Sequence, residues 1–217
     1  MNVLQHDDQT PYSPAEQYLA NIDQDWAKLI SEIGPLPQPV LSDREPYEAL
    51  IRAVAHQQLH GKAAENILAR FIASYPSTLF PSAEQVLATS IDQLRACGFS
   101  NGKAIAIVGI AEKTRDGVVP TRAIAETLTN DELIKRLTTL RGIGQWTVEM
   151  FLMHTLYQPD ILPVDDFGVR EGWRILKSLE AQPKPKQFAE MGKAWSPYRS
   201  TASWYLWRAV DRAKQNK

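Results

Sequence analysis

From Tyr47 onward, apolar residues recur three and four positions apart almost without interruption, the spacing that places them on one face of an α-helix. Alternating apolar–polar runs, the mark of a half-buried strand, are nearly absent, and Gly-Val-Val-Pro-Thr at 117–121 reads as a loop. The pattern predicts an all-α fold. Tyr47, Leu50, Ile51, Val54 and Ala55 make the first apolar face, behind Ser42 and Glu45 at capping-box spacing. Further helices are expected over about 62–75, closed by Pro76, in "SAEQVLAT" and in "SIDQLRACG". The last of these is opened by Ser90 and Gln93 and stopped by Gly98. "NGKAIAIVGIAEKTRDG" gives another, Thr129 and Glu132 open the next, and three more are expected over about 166–179, 185–191 and 200–214. Prolines 35, 37 and 39 and the stretch "EAQPKPKQ" mark irregular connections. They set off a middle lobe over about 46–157 from a second lobe made of 1–45 plus 158–217, and two helical lobes with a cleft between them are the expected architecture.

Composition removes several classes of function. With 44% hydrophobic residues in 217, the chain can bury a core. No apolar run reaches the ~18 residues of a membrane helix, and the polar, acidic start "MNVLQHDDQTPYSPAEQ" is unlike a secretory signal. A cytosolic or nuclear location is expected. The single cysteine, Cys97, excludes an internal disulfide, a four-cysteine iron–sulfur cluster and a cysteine-based zinc site. Histidines 6, 56, 60 and 154 lack ligand spacing, so no catalytic metal is expected. A net charge of −1 means that a nucleic-acid partner would have to be held by a local patch or by backbone groups.

The segment "LIKRLTTLRGIGQWTVEMFLMHTLYQ" (133–158) joins two apolar helices by a short turn with two glycines, Gly142 and Gly144. Without Cβ atoms these positions can take left-handed dihedrals and let another molecule come close. The helix that follows from about Gln145 presents unpaired N–H groups suited to an anion such as a phosphate. A tight helical hairpin whose glycines only make the turn is the other reading. The pair Asp165–Asp166, shortly downstream, has two readings as well: an N-cap, or a carboxylate that does chemistry.

Taken in order, "YEALIRAVAHQQLHGKAAENILARF", "LRGIGQWTVEM", "LPVDDFGVR" and "WSPYRSTASWYLWRAVD" resemble the helix-hairpin-helix (HhH-GPD) DNA glycosylase superfamily, and within it the alkylation-repair branch. The resemblance covers roughly 45–212 and makes the whole chain one glycosylase module of the compact 3-methyladenine DNA glycosylase II type, without the extra N-terminal domain of larger members. It implies a base-excision repair enzyme that swings a damaged base out of duplex DNA and hydrolyses its N-glycosidic bond. Alkylated purines such as 3-methyladenine and 7-methylguanine are the implied substrates. Ethenoadenine, hypoxanthine or oxidised bases, or a non-catalytic damage binder, are the alternatives.

The resemblance also implies roles. Asp166, three residues before Val169, matches the family's essential aspartate; a carboxylate near the anomeric carbon stabilises the positive charge that builds on the sugar. Trp146 stands where lyase members carry a Schiff-base lysine, so a monofunctional enzyme is implied. Trp146, Met150 and Trp207 match base-pocket positions, where electron-rich rings favour a cationic base; for the two tryptophans core packing is the competing reading. Trp26, Trp173, Trp195 and Trp204 are expected in the core. Gln57, Gln58, Leu59 and His60 match the wedge that fills the gap left by an extruded base, with Gln58 or Leu59 as the plug. Gly142, Gly144, Gln145 and Thr147 would grip phosphate. Backbone carbonyls of Thr138, Leu140 and Ile143 match a structural sodium or potassium site. The implied partner is duplex DNA carrying alkylated bases, with no membrane association, and the protein is expected to be a monomer.

Overall fold

The computed structural model describes residues 11–37, 43–59, 61–76 and 78–215. Ser42, Pro39 and His60 lie outside the described residues, and so do the expectations placed on them. Among the described residues there are helices and no strands. In chain order the helices are α1 (Pro14–Ala20), α2 (Gln24–Ile33), α3 (Pro46–His56), α4 (Gly61–Ala73) and α5 (Ala83–Leu87). Next come α6 (Ile91–Ala96), α7 (Asn101–Arg115), α8 (Arg122–Ala125), α9 (Asn130–Leu137) and α10 (Gln145–His154). The last are α11 (Phe167–Leu176), α12 (Pro185–Met191) and α13 (Arg199–Gln215), with a 3₁₀ turn at Gly192–Trp195 before α13. No described helix is long and apolar enough to cross a membrane.

Local chemistry explains most of the starts and stops. Ser90 with Gln93 and Thr129 with Glu132 form two of the three expected capping boxes, each side chain serving the other's backbone N–H. The third, with Glu45 inside the first turn, is not formed, because α3 starts only at Pro46 and Glu45 is itself its N-cap. Ser13 with Glu16 and Ser82 with Gln85 form two more. Gly98 (φ 108°) and Gly117 (φ 73°) each follow a helix in the left-handed region that stops it. Helices α1 and α8 are too short to show an apolar stripe. Helix α2 carries one in Trp26, Leu29, Ile30 and Ile33 although it is not among the expected helices, and the helix expected over 166–179 ends at Leu176.

The chain divides into two compact units, one of Ser42–Tyr157 and the other of Met1–Leu41 with Gln158–Lys217. In the first, α7 is the central helix: Ala104, Ala106, Ile107, Ile110 and Ala111 are buried, and α3, α5 and α6 pack around it. Burial on several sides explains why α7 shows no single apolar stripe. Helix α10 packs on α3 and α9, burying Val148, Phe151 and Leu152.

In the second unit, α11 lies against α13. The contact is close because Gly172 has no side chain: a Cβ there would sit 2.0 Å from the carbonyl oxygen of Leu206. Trp195 is the centre of an aromatic cluster, with Trp173 at 4.9 Å, Phe188 at 5.4 Å and Trp26 at 5.5 Å between ring centroids. Trp26, Trp173 and Trp195 are buried, and Trp204 is half-buried with the Arg208 guanidinium over its ring. One buried carboxylate, Glu16, ties α1 to α13: it accepts from the Tyr205 hydroxyl and from the N–H groups of Leu36 and Ser13. Burial alone would raise its pKa, but these hydrogen bonds outweigh that and hold it below the ordinary value of 4.5.

Two outcomes follow. Gly172→Ala must push α11 and α13 apart, and should cost about 2 kcal/mol or more, read as a Tm lowered by roughly 5 °C; an unchanged Tm would contradict the close approach. Because the Glu16 pKa is depressed in the folded state, its stabilisation is complete above the normal carboxylate range and lost as pH falls through the folded value. Glu16→Gln should therefore flatten the acid limb of a stability-versus-pH curve, and a limb of unchanged slope would argue that Glu16 titrates as in the unfolded chain.

Candidate active site

The connection into α11 ends at Asp166, and this residue itself, not Asp165, caps the helix. Its Oδ1 accepts from the Val169 N–H at 2.7 Å and from the indole Nε1–H of Trp207 at 2.9 Å. The first bond is the N-cap expected of an aspartate before a helix. The second comes from α13, and the intervening sequence gives no sign of it. Asp165 is exposed and Asp166 is half-buried. The carboxylate is thus fixed in direction by donors from two helices, α11 and α13. Gly168 makes the second bond possible: a Cβ there would lie 2.9 Å from Trp207 Cδ1 and 3.1 Å from Nε1. Trp207 is accordingly half-buried, flush against the first turn of α11. Phe167, which the sequence reading passed over, is 69% exposed beside this carboxylate, an apolar ring that the fold leaves in solvent.

The hairpin of α9 and α10 turns at residues 138–144. Its two glycines differ. Gly142 takes the left-handed conformation (φ 82°), and a Cβ there would be 3.0 Å from that of Ala106. Gly144 is extended (φ −90°, ψ 169°) and is the N-cap of α10, so it does not use the freedom expected of it. A Cβ on Gly144 would meet nothing within 4 Å. As an N-cap, glycine brings no side-chain acceptor to the first-turn N–H groups, and no side-chain cap bond is made. The start of α10 is therefore an electropositive backbone end with open space before it. Gln145 spans the first turn, its Nε2 donating to Glu149 Oε1 at 2.9 Å.

Two residues expected to contact DNA make hydrogen bonds at the hairpin. Thr147 is buried, its N–H is bonded to the Gly144 carbonyl, and its Oγ1 accepts from Gln57 Nε2 at 3.1 Å. The same Gln57 amide donates to the Gly142 carbonyl at 3.0 Å. Gln57 and Thr147 thus brace the turn. Gln58 and Leu59 stand out from the surface between α3 and α4; Gln58 has φ 56°, unusual for a side-chain-bearing residue, and Leu59 is 40% exposed.

Trp146 and Met150 line one wall of an open groove of about 590 Å³ within the Ser42–Tyr157 unit, Trp146 being 38% exposed. Ala49, Arg52 and Ala53 of α3 and Leu68 of α4 line it as well. A mainly apolar trough edged by a tryptophan is suited to a flat aromatic ligand.

A family model described as "HhH-GPD superfamily base excision DNA repair protein" matches residues 51–197. The chain is 41% identical over 209 residues to DNA-3-methyladenine glycosylase 1 of Schizosaccharomyces pombe, covering 96% of this chain and 92% of that protein. Among solved structures it is similar to an S. pombe 3-methyladenine DNA glycosylase in complex with abasic DNA, at TM-score 0.84 and 42% identity over 90% of this chain and 96% of that one. It is also similar to a DNA-3-methyladenine glycosidase of Bacillus halodurans, at TM-score 0.81 and 30% identity over 94% and 92% of the two chains.

Trp207→Phe keeps an aromatic ring against α11 and removes the donor to Asp166. Loss of a hydrogen bond to a charged acceptor at a half-buried site should lower unfolding stability by about 1–2 kcal/mol in chemical denaturation. No loss would mean that the bond contributes nothing to holding the two helices.

Proposed function

Since the chain belongs to the HhH-GPD superfamily of base excision DNA repair proteins, we propose that this DNA glycosylase hydrolyses the N-glycosidic bond of alkylated purines in duplex DNA, as a monomer and without cutting the strand. The observation that supports this most directly is the carboxylate of Asp166, held by Val169 N–H and Trp207 Nε1–H at the head of α11. As the bond to the base stretches, the sugar becomes oxocarbenium-like, and an anion already fixed in direction stabilises that charge without reorganising. The same carboxylate orients the attacking water and takes up its proton as the new C–O bond forms. The base departs with the bonding electrons. A 3- or 7-alkylated purine is cationic before cleavage and leaves neutral, so no protonating acid is needed.

The backbone supports the grip on DNA. The N–H groups at the start of α10, opened by Gly144, suit a phosphate, which removes the need for a basic overall charge. Carbonyl oxygens of Thr138, Leu140 and Ile143 are the hard donors a sodium or potassium ion takes. The Leu140 carbonyl already accepts from Ile143 N–H at 3.1 Å and would serve through its second lone pair. Such an ion would supply positive charge beside a phosphate. Gln58 and Leu59 are placed by exposure to fill a gap in the base stack, and the Trp146–Met150 wall suits an aromatic, cationic base. Trp146 in place of an amine-bearing side chain excludes Schiff-base chemistry at that position.

The test is to incubate the protein with methylated duplex DNA and chromatograph the freed bases. Wild type should release 3-methyladenine or 7-methylguanine and leave abasic strands intact until alkali is added. Asp166→Asn keeps a good N-cap and an acceptor for Trp207, so it should fold within about 1 kcal/mol of wild type and bind DNA, yet lose about 10²-fold or more in base release. Equal turnover in the variant would remove Asp166 from the mechanism. Strand nicking without alkali would overturn the monofunctional assignment.

A further inference from the structure

Helix α3 ends at His56, with Gln57 as its C-cap before Gln58 and Leu59. At this negative end of the helix dipole the Gln57 N–H serves the carbonyls of Ala53 and Val54 and the Leu59 N–H that of His56, which leaves those of Ala55 and Gln57 to a donor from elsewhere. Lys103, in the first turn of α7, answers them: its Nζ donates to the carbonyls of Ala55 at 2.9 Å and Gln57 at 2.7 Å. One ammonium group therefore holds the chain at the point where it leaves α3 and enters the left-handed conformation of Gln58 (φ 56°). The Gln57 side chain runs the other way, to the Gly142 carbonyl and Thr147 Oγ1. Gly142 in turn sits over Ala106, one helical turn along α7 from Lys103. The first turns of α7 thus underlie both the exposed loop and the glycine turn of the hairpin.

We infer that Lys103 is a positioning residue for base extrusion, clamping the Gln58–Leu59 loop in its projecting geometry and, with Gln57, joining it rigidly to the hairpin turn. The inference rests on the glycosylase reading above. A hairpin bound to phosphate gives a fixed point on the DNA; a loop fastened to that point drives into the stack, whereas a slack one yields. A non-glycine residue at positive φ persists only where its surroundings hold it, and two carbonyl bonds to a single cation are that hold. Lys103 touches neither base nor sugar in this scheme, so its loss acts on the opening of the duplex and not on bond cleavage.

Two duplexes separate these steps. In one the methylated purine is paired normally; in the other it faces an abasic site, so that unpairing is already done. Lys103→Met keeps the aliphatic stem and removes the donors; single-turnover base release should fall about tenfold or more on the paired duplex and far less on the other. Lys103→Arg, which restores a cation with donors, should recover most of the loss. Equal losses on both duplexes, or none on either, would overturn the proposal. If Lys103→Met does not fold, Lys103→Gln, which retains one amide donor group, is measured in the same way. A second readout needs no chemistry: in an Asp166→Asn background, 2-aminopurine beside the lesion reports unstacking by fluorescence. Adding Lys103→Met should leave binding by anisotropy in place but cut the fluorescence rise about threefold or more; an undiminished rise would refute the clamp. Wild type that frees no base from either duplex would defeat the glycosylase reading, while the fluorescence comparison would still decide the role of Lys103.

Discussion

An α-helix leaves four N–H groups without partners at its start and four carbonyls at its end, and three such ends organise what this chain can do. At α11 the need is met by Asp166, whose Oδ1 takes the Val169 N–H. At α10 no side chain caps the start, because Gly144 has none, and its carbonyl takes the Thr147 N–H. At the end of α3 it is met from another helix by Lys103. The same backbone requirement thus fixes a carboxylate, leaves one helix start without a side-chain cap and pins a loop. Capping the helix is compatible with the chemistry proposed for Asp166. The cap sets its direction, and the indole of Trp207 keeps it there.

Close packing carries this arrangement. Gly168 and Gly172 stand one helical turn apart on the α13-facing side of α11, the first meeting Trp207 and the second the backbone at Leu206. An interior is packed nearly as densely as an organic crystal, so a missing methyl at the contact is read directly as distance between helices. The indole reaches the carboxylate because both glycines let α13 lie that near. The stability of this unit and the aim of its carboxylate therefore share one cause.

Much of the fold was legible, for local reasons. Capping boxes at Ser90 and Thr129, Pro185 at the first position of α12 and the glycine stops act over a few residues and show in the sequence. The Ser13–Glu16 box was equally local, but α1 is short, and a polar opening segment offers no apolar stripe to extend the reading. The site divides in the same way. The spacing from Asp166 to Val169 is local and could be read; that Trp207 stands near this carboxylate was implied by the family resemblance, but the hydrogen bond between them comes from another helix and no local spacing shows it. Two adjacent aspartates look alike in sequence, and only the path of the chain makes Asp166 the cap. The glycines of the hairpin look alike too, although one is left-handed and the other extended. Gln57 read as a contact to an outside partner because its inward bonds, to Gly142 and Thr147, join segments far apart in the chain.

Gly144 has a consequence for how variation at this position would be felt. Extended backbone accepts any residue, and the volume in front of its α-carbon is empty of protein atoms. Alanine is a poorer N-cap than glycine by about 0.5–1 kcal/mol but meets no steric clash there, so a screen for well-expressed variants would pass it. Under the proposed grip on DNA, the added methyl would stand in the path of the phosphate. Tolerance measured by folding and tolerance measured by affinity part company at that single carbon, and a survey of substitutions read by only one of the two would misjudge the residue.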